Sequence, residues 1–119
     1  MVQIYGRKKC SGTRKAQRFF SDRRIQVQNI DLDRKPPGKR EIDLFVQVVG
    51  VDALVDKDGK IYRSRGLSYM EFDPVDELNE NPDLLRTPIV RSGRMIVVGE
   101  DEAGWSTVAD GASPDGASA

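Results

Sequence analysis

The sequence contains no histidine and a single cysteine among its 119 residues. Without histidine, imidazole metal sites and Ser-His or Cys-His catalysis are excluded. One cysteine excludes an internal disulfide and any cysteine-based cluster, and its free thiol fits a reducing cytoplasm. No apolar run reaches the roughly 20 residues that a membrane helix needs. The N-terminus lacks the basic start and long apolar stretch of a secretory signal.

What is present fits an ordinary globular chain, with 38% hydrophobic and 32% charged residues. The length suits one domain with one core. Formal charge sums to zero but is unevenly spread. Up to Arg40 there are 12 basic and 3 acidic residues, and the remainder carries 7 and 16. Such asymmetry marks either an anion-attracting surface or, more simply, a dipolar solvated one whose halves partly neutralise each other on folding.

Val2-Gln3-Ile4-Tyr5 alternates and reads as a short strand. A basic loop from Gly6 to Gly12 follows and contains Cys10. Ser11 or Thr13 opens a helix to about Arg23, with Ala16, Phe19, Phe20 and Arg23 at i, i+3, i+4, i+7. Ile25 to Gln28 alternates again and Ile30 and Leu32 continue in the other phase, giving a second strand with a bulge. Past Pro36-Pro37-Gly38, the spacing predicts a helix from Lys39 to Val49, with Ile42, Phe45, Val46 and Val49 on one face and Gly50 as its stop. Asp58-Gly59 signals a turn. Asp73-Pro74 starts a short helix carrying Val75 and Leu78, which Asn81-Pro82 interrupts. Pro88 to Arg91, Ser92-Gly93 and Arg94 to Val98 form the clearest hairpin. An acidic stretch leads to Trp105 in a short final helix or turn, and residues 110–119 have the composition of a disordered tail. Asp56-Lys57-Asp58-Gly59 resembles part of a calcium loop, but Leu54 and Arg65 stand at its first and twelfth ligand positions, so no metal site is expected.

Cys10 lies where a strand ends and a helix begins. Unpaired amide groups and the helix dipole there favour thiolate over thiol, and thiolate is the nucleophile. Arg7, Lys8, Lys9, Arg14 and Lys15 flank it and push its pKa the same way. The opposing reading, a small buried hydrophobe, fits poorly with polar neighbours on both sides. Gly12 and Thr13 suit an anion-cradling helix start, or equally a plain N-cap. Thr87-Pro88 at a strand start is either an edge device or a cis bond.

Val2 to Tyr5 followed by Cys10-Ser11-Gly12-Thr13-Arg14-Lys15-Ala16 resembles the nucleophile loop and first helix of arsenate reductase-like proteins. Asn81 to Val90 is similar to that family's approach to the strand after its cis-proline, and Val98-Gly99 with Trp105 resembles its ending. The resemblance spans about Val2 to Trp105. It implies an α/β, thioredoxin-like fold with a four-stranded mixed sheet, one domain over 1–109, and a helical insertion at about 36–86. It also implies a cis Thr87-Pro88 bond.

The same resemblance assigns Cys10 as nucleophile and places Gly12, Thr13, Arg14, Lys57, Arg86, Thr87 and Pro88 around substrate or anion. No cofactor is expected to be bound; glutathione or a glutaredoxin is the implied co-substrate. The enzymes of the family hold oxyanions with arginines in bidentate geometry. Here Thr87 stands where they carry the arginine before the proline, with Arg86 one residue earlier. Ile96-Val97-Val98 supplies no arginine, and the middle loop offers only Lys57. These departures favour a disulfide or a glutathionylated thiol over a small oxyanion. Spx-type regulators of this family bind RNA polymerase and carry Cys-x-x-Cys. Thr13 replaces the second cysteine here, so a redox cycle needs an external thiol. The alternative to an enzyme is therefore a regulatory module docking on RNA polymerase or another protein, with no membrane and no direct nucleic-acid partner.

Overall fold

A computed structural model of the chain describes residues 1–56 and 78–111. Lys57, the Asp58-Gly59 turn, Asp73-Pro74 with Val75, and residues 112–119 lie outside the described residues. Two compact units divide the chain: Met1–Lys35 together with the chain from Thr87 onward, and Pro36–Arg86.

The first unit is built on strands β1 (Val2–Gly6), β2 (Val27–Asp31), β3 (Ile89–Ser92) and β4 (Met95–Val98), in the order β2-β1-β3-β4. β1 and β2 run parallel, joined through helix α1 (Ser11–Asp22), while β3 is antiparallel to both β1 and β4. The sheet is therefore mixed, as the resemblance implies. Strand alternation sends Val2 and Ile4 to one face. There they join Ala16 and Phe20 of α1, Val90 of β3, and Trp105 and Val108 in a buried cluster. Trp105 and Val108 belong to the final helix, α4 (Glu102–Gly111), which begins where Asp101 Oδ1 accepts the Gly104 N–H at 2.9 Å. That helix includes Asp110 and Gly111, which the composition assigned to the tail.

Two local features differ from the pattern reading. β2 begins at Val27 rather than Ile25, because α1 closes in a Schellman motif. The N–H of Ile25 reaches Phe20 O at 3.0 Å and that of Arg24 reaches Ser21 O at 3.0 Å. Arg24 adopts φ +56°, and Ile25 joins the Phe20 cluster as the motif's apolar contact. The hairpin turn is Gly93-Arg94, one residue later than Ser92-Gly93, since Ser92 pairs with Met95. Gly93 supplies φ +62° at the first turn position, as a II′ turn requires.

The second unit contains α2 (Lys39–Val49), which starts with the Gly38 N–H on Glu41 Oε1 at 3.0 Å and stops at Gly50, φ +83°. Ile42 and Phe45 are buried, Val46 and Val49 half-buried. A one-turn helix α3 (Val51–Leu54) follows, then a bridge between Val55 and Leu85. Residues 78–80 are helical with Leu78 fully buried, and Pro82–Leu84 form a 3₁₀ turn after Asn81.

Candidate functional site

Gly6 ends β1 against Thr13. A Cβ on Gly6 would stand 2.2 Å from Thr13 Cγ2 and 2.5 Å from its Oγ1. The bare backbone of Gly6 thus admits the Thr13 side chain beneath the loop that carries Cys10. Thr13 is buried, and its hydroxyl accepts the Arg7 N–H at 3.3 Å. Above it, the Cys10 N–H bonds Arg7 O at 3.0 Å, and Cys10 is the N-cap of α1 in extended conformation.

The opposite wall comes from the residues before β3. The Thr87-Pro88 peptide is cis, as the resemblance implies, and the Cys10 thiol donates to Thr87 O at 3.6 Å. Gly12 fits closely beside this wall, since a Cβ there would lie 3.0 Å from Pro88 Cδ and 2.9 Å from Glu100 Cγ. Cys10, Gly12, Thr13, Thr87 and Pro88 are therefore assembled around one half-buried sulfur.

Burial alone raises the Cys10 pKa, but the Thr13 and Thr87 side chains and the Thr13 and Gly12 amides together outweigh it, leaving the thiol below its ordinary value. All four groups favour the thiolate by hydrogen bonding to the charged form.

The flanking cations, expected from sequence to contribute, are engaged elsewhere. Arg14 Nη1 donates to Lys8 O at 2.8 Å. Lys15 pairs with Glu100 at 3.1 Å, and Arg7 Nε lies 3.5 Å from Asp33. Lys8 and Lys9 are exposed, where solvent screens their charge. Of the remaining candidates, Arg86 belongs to the second unit, where its N–H bonds Leu54 O at 2.7 Å, and Lys57 lies outside the described residues.

Sequence reading passed over Gly6 and Glu100. Gly6 carries a legible signal, a glycine closing a strand ahead of a loop. Glu100 sits in the run Glu100-Asp101-Glu102, where nothing distinguishes the residue that folds back toward Gly12.

The structure thus places the Cys10 thiol at the start of α1, within reach of the carbonyl before the cis Pro88. Residues 5–108 match the ArsC family. The chain belongs to that family. Among curated relatives, a global transcriptional regulator named Spx 2 from Oceanobacillus iheyensis is 32% identical over 107 residues, covering 85% of this chain and 78% of its own length. Among solved structures, an ArsC family-related protein from Bacteroides fragilis superposes with TM-score 0.80 at 21% identity, covering 90% of this chain and 96% of the other. An arsenate reductase from Vibrio cholerae gives TM-score 0.78 at 22% identity, with 90% and 96% covered. These likenesses establish the thioredoxin-like fold of an ArsC family chain. Family membership joins thiol-oxidoreductase-like proteins and Spx regulators, and among the described residues no helix is long and apolar enough to cross a membrane.

Proposed function

We propose that the protein is a monothiol oxidoreductase that uses glutathione or a glutaredoxin as reductant and Cys10 as its nucleophile. The observation that carries this reading is the set of two hydroxyls and two amides that favours a thiolate on a half-buried, reachable sulfur. Such an arrangement serves attack and adds nothing to an inert docking surface.

The Cys10 thiolate attacks one sulfur of a disulfide R–S–S–G. The attack falls on the glutathione sulfur, so a Cys10–S–S–G bond forms, the S–S bond of R–S–S–G breaks, and R–S⁻ leaves and takes a proton from solvent. A glutathione thiolate then attacks the glutathione sulfur of that mixed disulfide, releasing glutathione disulfide and restoring the Cys10 thiolate. The substrate is reduced by two electrons that glutathione supplies. No second cysteine is needed. Thr87 and Pro88 form the wall facing the sulfur, and Thr13 and Gly12 hold the leaving Cys10 thiolate in the second step. The absence of arginine at Thr87 and over Ile96 to Val98 favours disulfides and glutathionylated thiols over arsenate or another small oxyanion.

The test is turnover of the mixed disulfide of glutathione and 2-mercaptoethanol, followed by NADPH consumption through glutathione reductase. Wild type turns over and accumulates a glutathione adduct on Cys10. Cys10→Ser loses turnover while retaining its fold. Retained turnover in that variant removes the proposal.

A second reading rests on α1, whose Arg14, Arg18, Arg23 and Arg24 region is exposed and basic, and on relatives named as global transcriptional regulators. In that reading the helix docks on an acidic protein surface such as one of RNA polymerase. Salt-sensitive binding with no thiol turnover would select it.

A further inference from the structure

A groove of about 360 Å³ lies between α1 and the β1–β2 side of the sheet. Its construction follows from register. Ile4 pairs with Asn29 and Gly6 with Asp31, so alternation sends all four to the face that α1 covers. At one end Gln17 Nε2 donates to Asn29 Oδ1 at 3.0 Å and closes the groove against a further depression along the same helix. The other end opens beside the loop that leads to Cys10.

Charged groups gather at the loop end of this groove. Arg7, Lys8 and Arg14 line the loop end. Arg14 is fixed there by its bond to Lys8 O, which uses one of its five N–H groups. Asp31 stands at the same end, paired across the sheet with Gly6 next to Arg7, its Oδ1 accepting the Asp33 N–H at 3.0 Å. Toward Gln17 the floor of the groove is the side chain of Ile4. A cationic end, a carboxylate and an apolar floor within one small cavity complement a molecule that carries an anion, a cation and a short hydrocarbon body.

We propose that this groove binds a small amino-acid-like zwitterion, its carboxylate held by Arg14 with Lys8, and its ammonium by Asp31. The site is distinct from the sulfur wall formed by Thr87 and Pro88, and its binding step does not depend on the oxidoreductase reading. Thr13 links the two places. It lines the groove, accepts the Arg7 N–H and contacts Cys10. A carboxylate at the groove's cationic end draws on the Arg7-Lys8 loop that positions both the Thr13 hydroxyl and the Cys10 N–H. Occupancy therefore slows reaction of the sulfur.

The probe is L-leucine, titrated into the ¹⁵N-labelled full chain, with 4-methylpentanoate and leucinamide as analogues lacking the amine and the carboxylate. Leucine should give saturable shifts confined to the groove amides of Gly6, Thr13, Asn29 and Asp31, at the millimolar Kd expected of a weak small ligand. Each analogue should bind at least tenfold more weakly. Arg14→Gln and Asp31→Asn should each weaken leucine at least tenfold, and Asn29→Trp should abolish binding by filling the groove. Leucine at saturation should slow iodoacetamide alkylation of Cys10 several-fold in wild type but not in Asn29→Trp. Cys10→Ser should bind leucine as wild type does, so loss of thiol activity and loss of this site are separately visible. No saturable shift, shifts outside the groove, equal binding of either analogue, or indifference to both charge substitutions overturns the site. An unchanged alkylation rate at saturation overturns its coupling to Cys10.

Discussion

Thr13 Oγ1 accepts the backbone N–H of Arg7 at 3.3 Å, and the same side chain reaches the Cys10 sulfur. Its hydrogen bond to that sulfur favours the thiolate. A threonine one turn from the nucleophile thus does by hydrogen bonding what the surrounding lysines and arginines seemed, from sequence, placed to do by charge.

Thr13→Val separates these contributions. It keeps the volume and removes the hydroxyl, so the Cys10 pKa rises and alkylation near neutral pH slows. It also removes the Arg7 N–H to Thr13 bond, worth about 0.5–1.5 kcal/mol net. Thr13→Ser restores the hydroxyl and should recover most of the reactivity. Equal alkylation rates in the valine and serine variants, measured with iodoacetamide, would contradict the role assigned to the hydroxyl.

Gly6→Ala tests the close approach beneath the loop. Its Cβ would meet the Thr13 side chain at 2.2 Å, so backbone or helix must shift. The expected loss is about 1–3 kcal/mol, the usual range for overpacking, together with slower Cys10 alkylation because Thr13 is displaced. Denaturant unfolding and alkylation should change together. A stable variant with wild-type thiol reactivity would mean the contact is slack.

Asp101 caps α4 through the Gly104 N–H, and α4 carries Trp105 and Val108 into the cluster beneath the sheet. Asp101→Ala should cost about 1 kcal/mol and leave thiol chemistry unchanged. Asp101→Asn should recover most of it. A chemical denaturation series on the three proteins checks this.

Much of the first unit is legible in the sequence because its elements have strong local signals. Alternation marks β1, the i, i+3, i+4 stripe of Ala16, Phe19 and Phe20 marks α1, and the glycine near Ser92 marks the hairpin. The errors are of one kind. Ile25 is apolar at a position where both a strand and a Schellman closure want an apolar residue, and Arg24 gives no hint of its left-handed backbone because glycine usually takes that place. The turn shifted by one because Gly93 serves the first turn position as well as the second.

The site was legible at Cys10 and its helix, and through resemblance at Thr87 and Pro88. The origin of the thiol's acidity was not, because side-chain pairing is a property of three dimensions. Lys15 finds Glu100 far along the chain, Arg7 finds Asp33, and Arg14 finds a carbonyl. None of these partners is implied by the basic run itself.

The most direct measurement is the pH dependence of Cys10 alkylation in the folded protein and in the same protein unfolded in guanidinium. The account predicts that the folded inflection lies at lower pH than the unfolded one. By linkage, the depressed folded pKa adds stability relative to Cys10→Ser as pH rises through the folded value, reaching its full extent above the unfolded value and vanishing as pH falls below the folded one. A folded inflection at or above the unfolded one would contradict the account, because the hydroxyls and amides around Cys10 would then not be stabilising a thiolate.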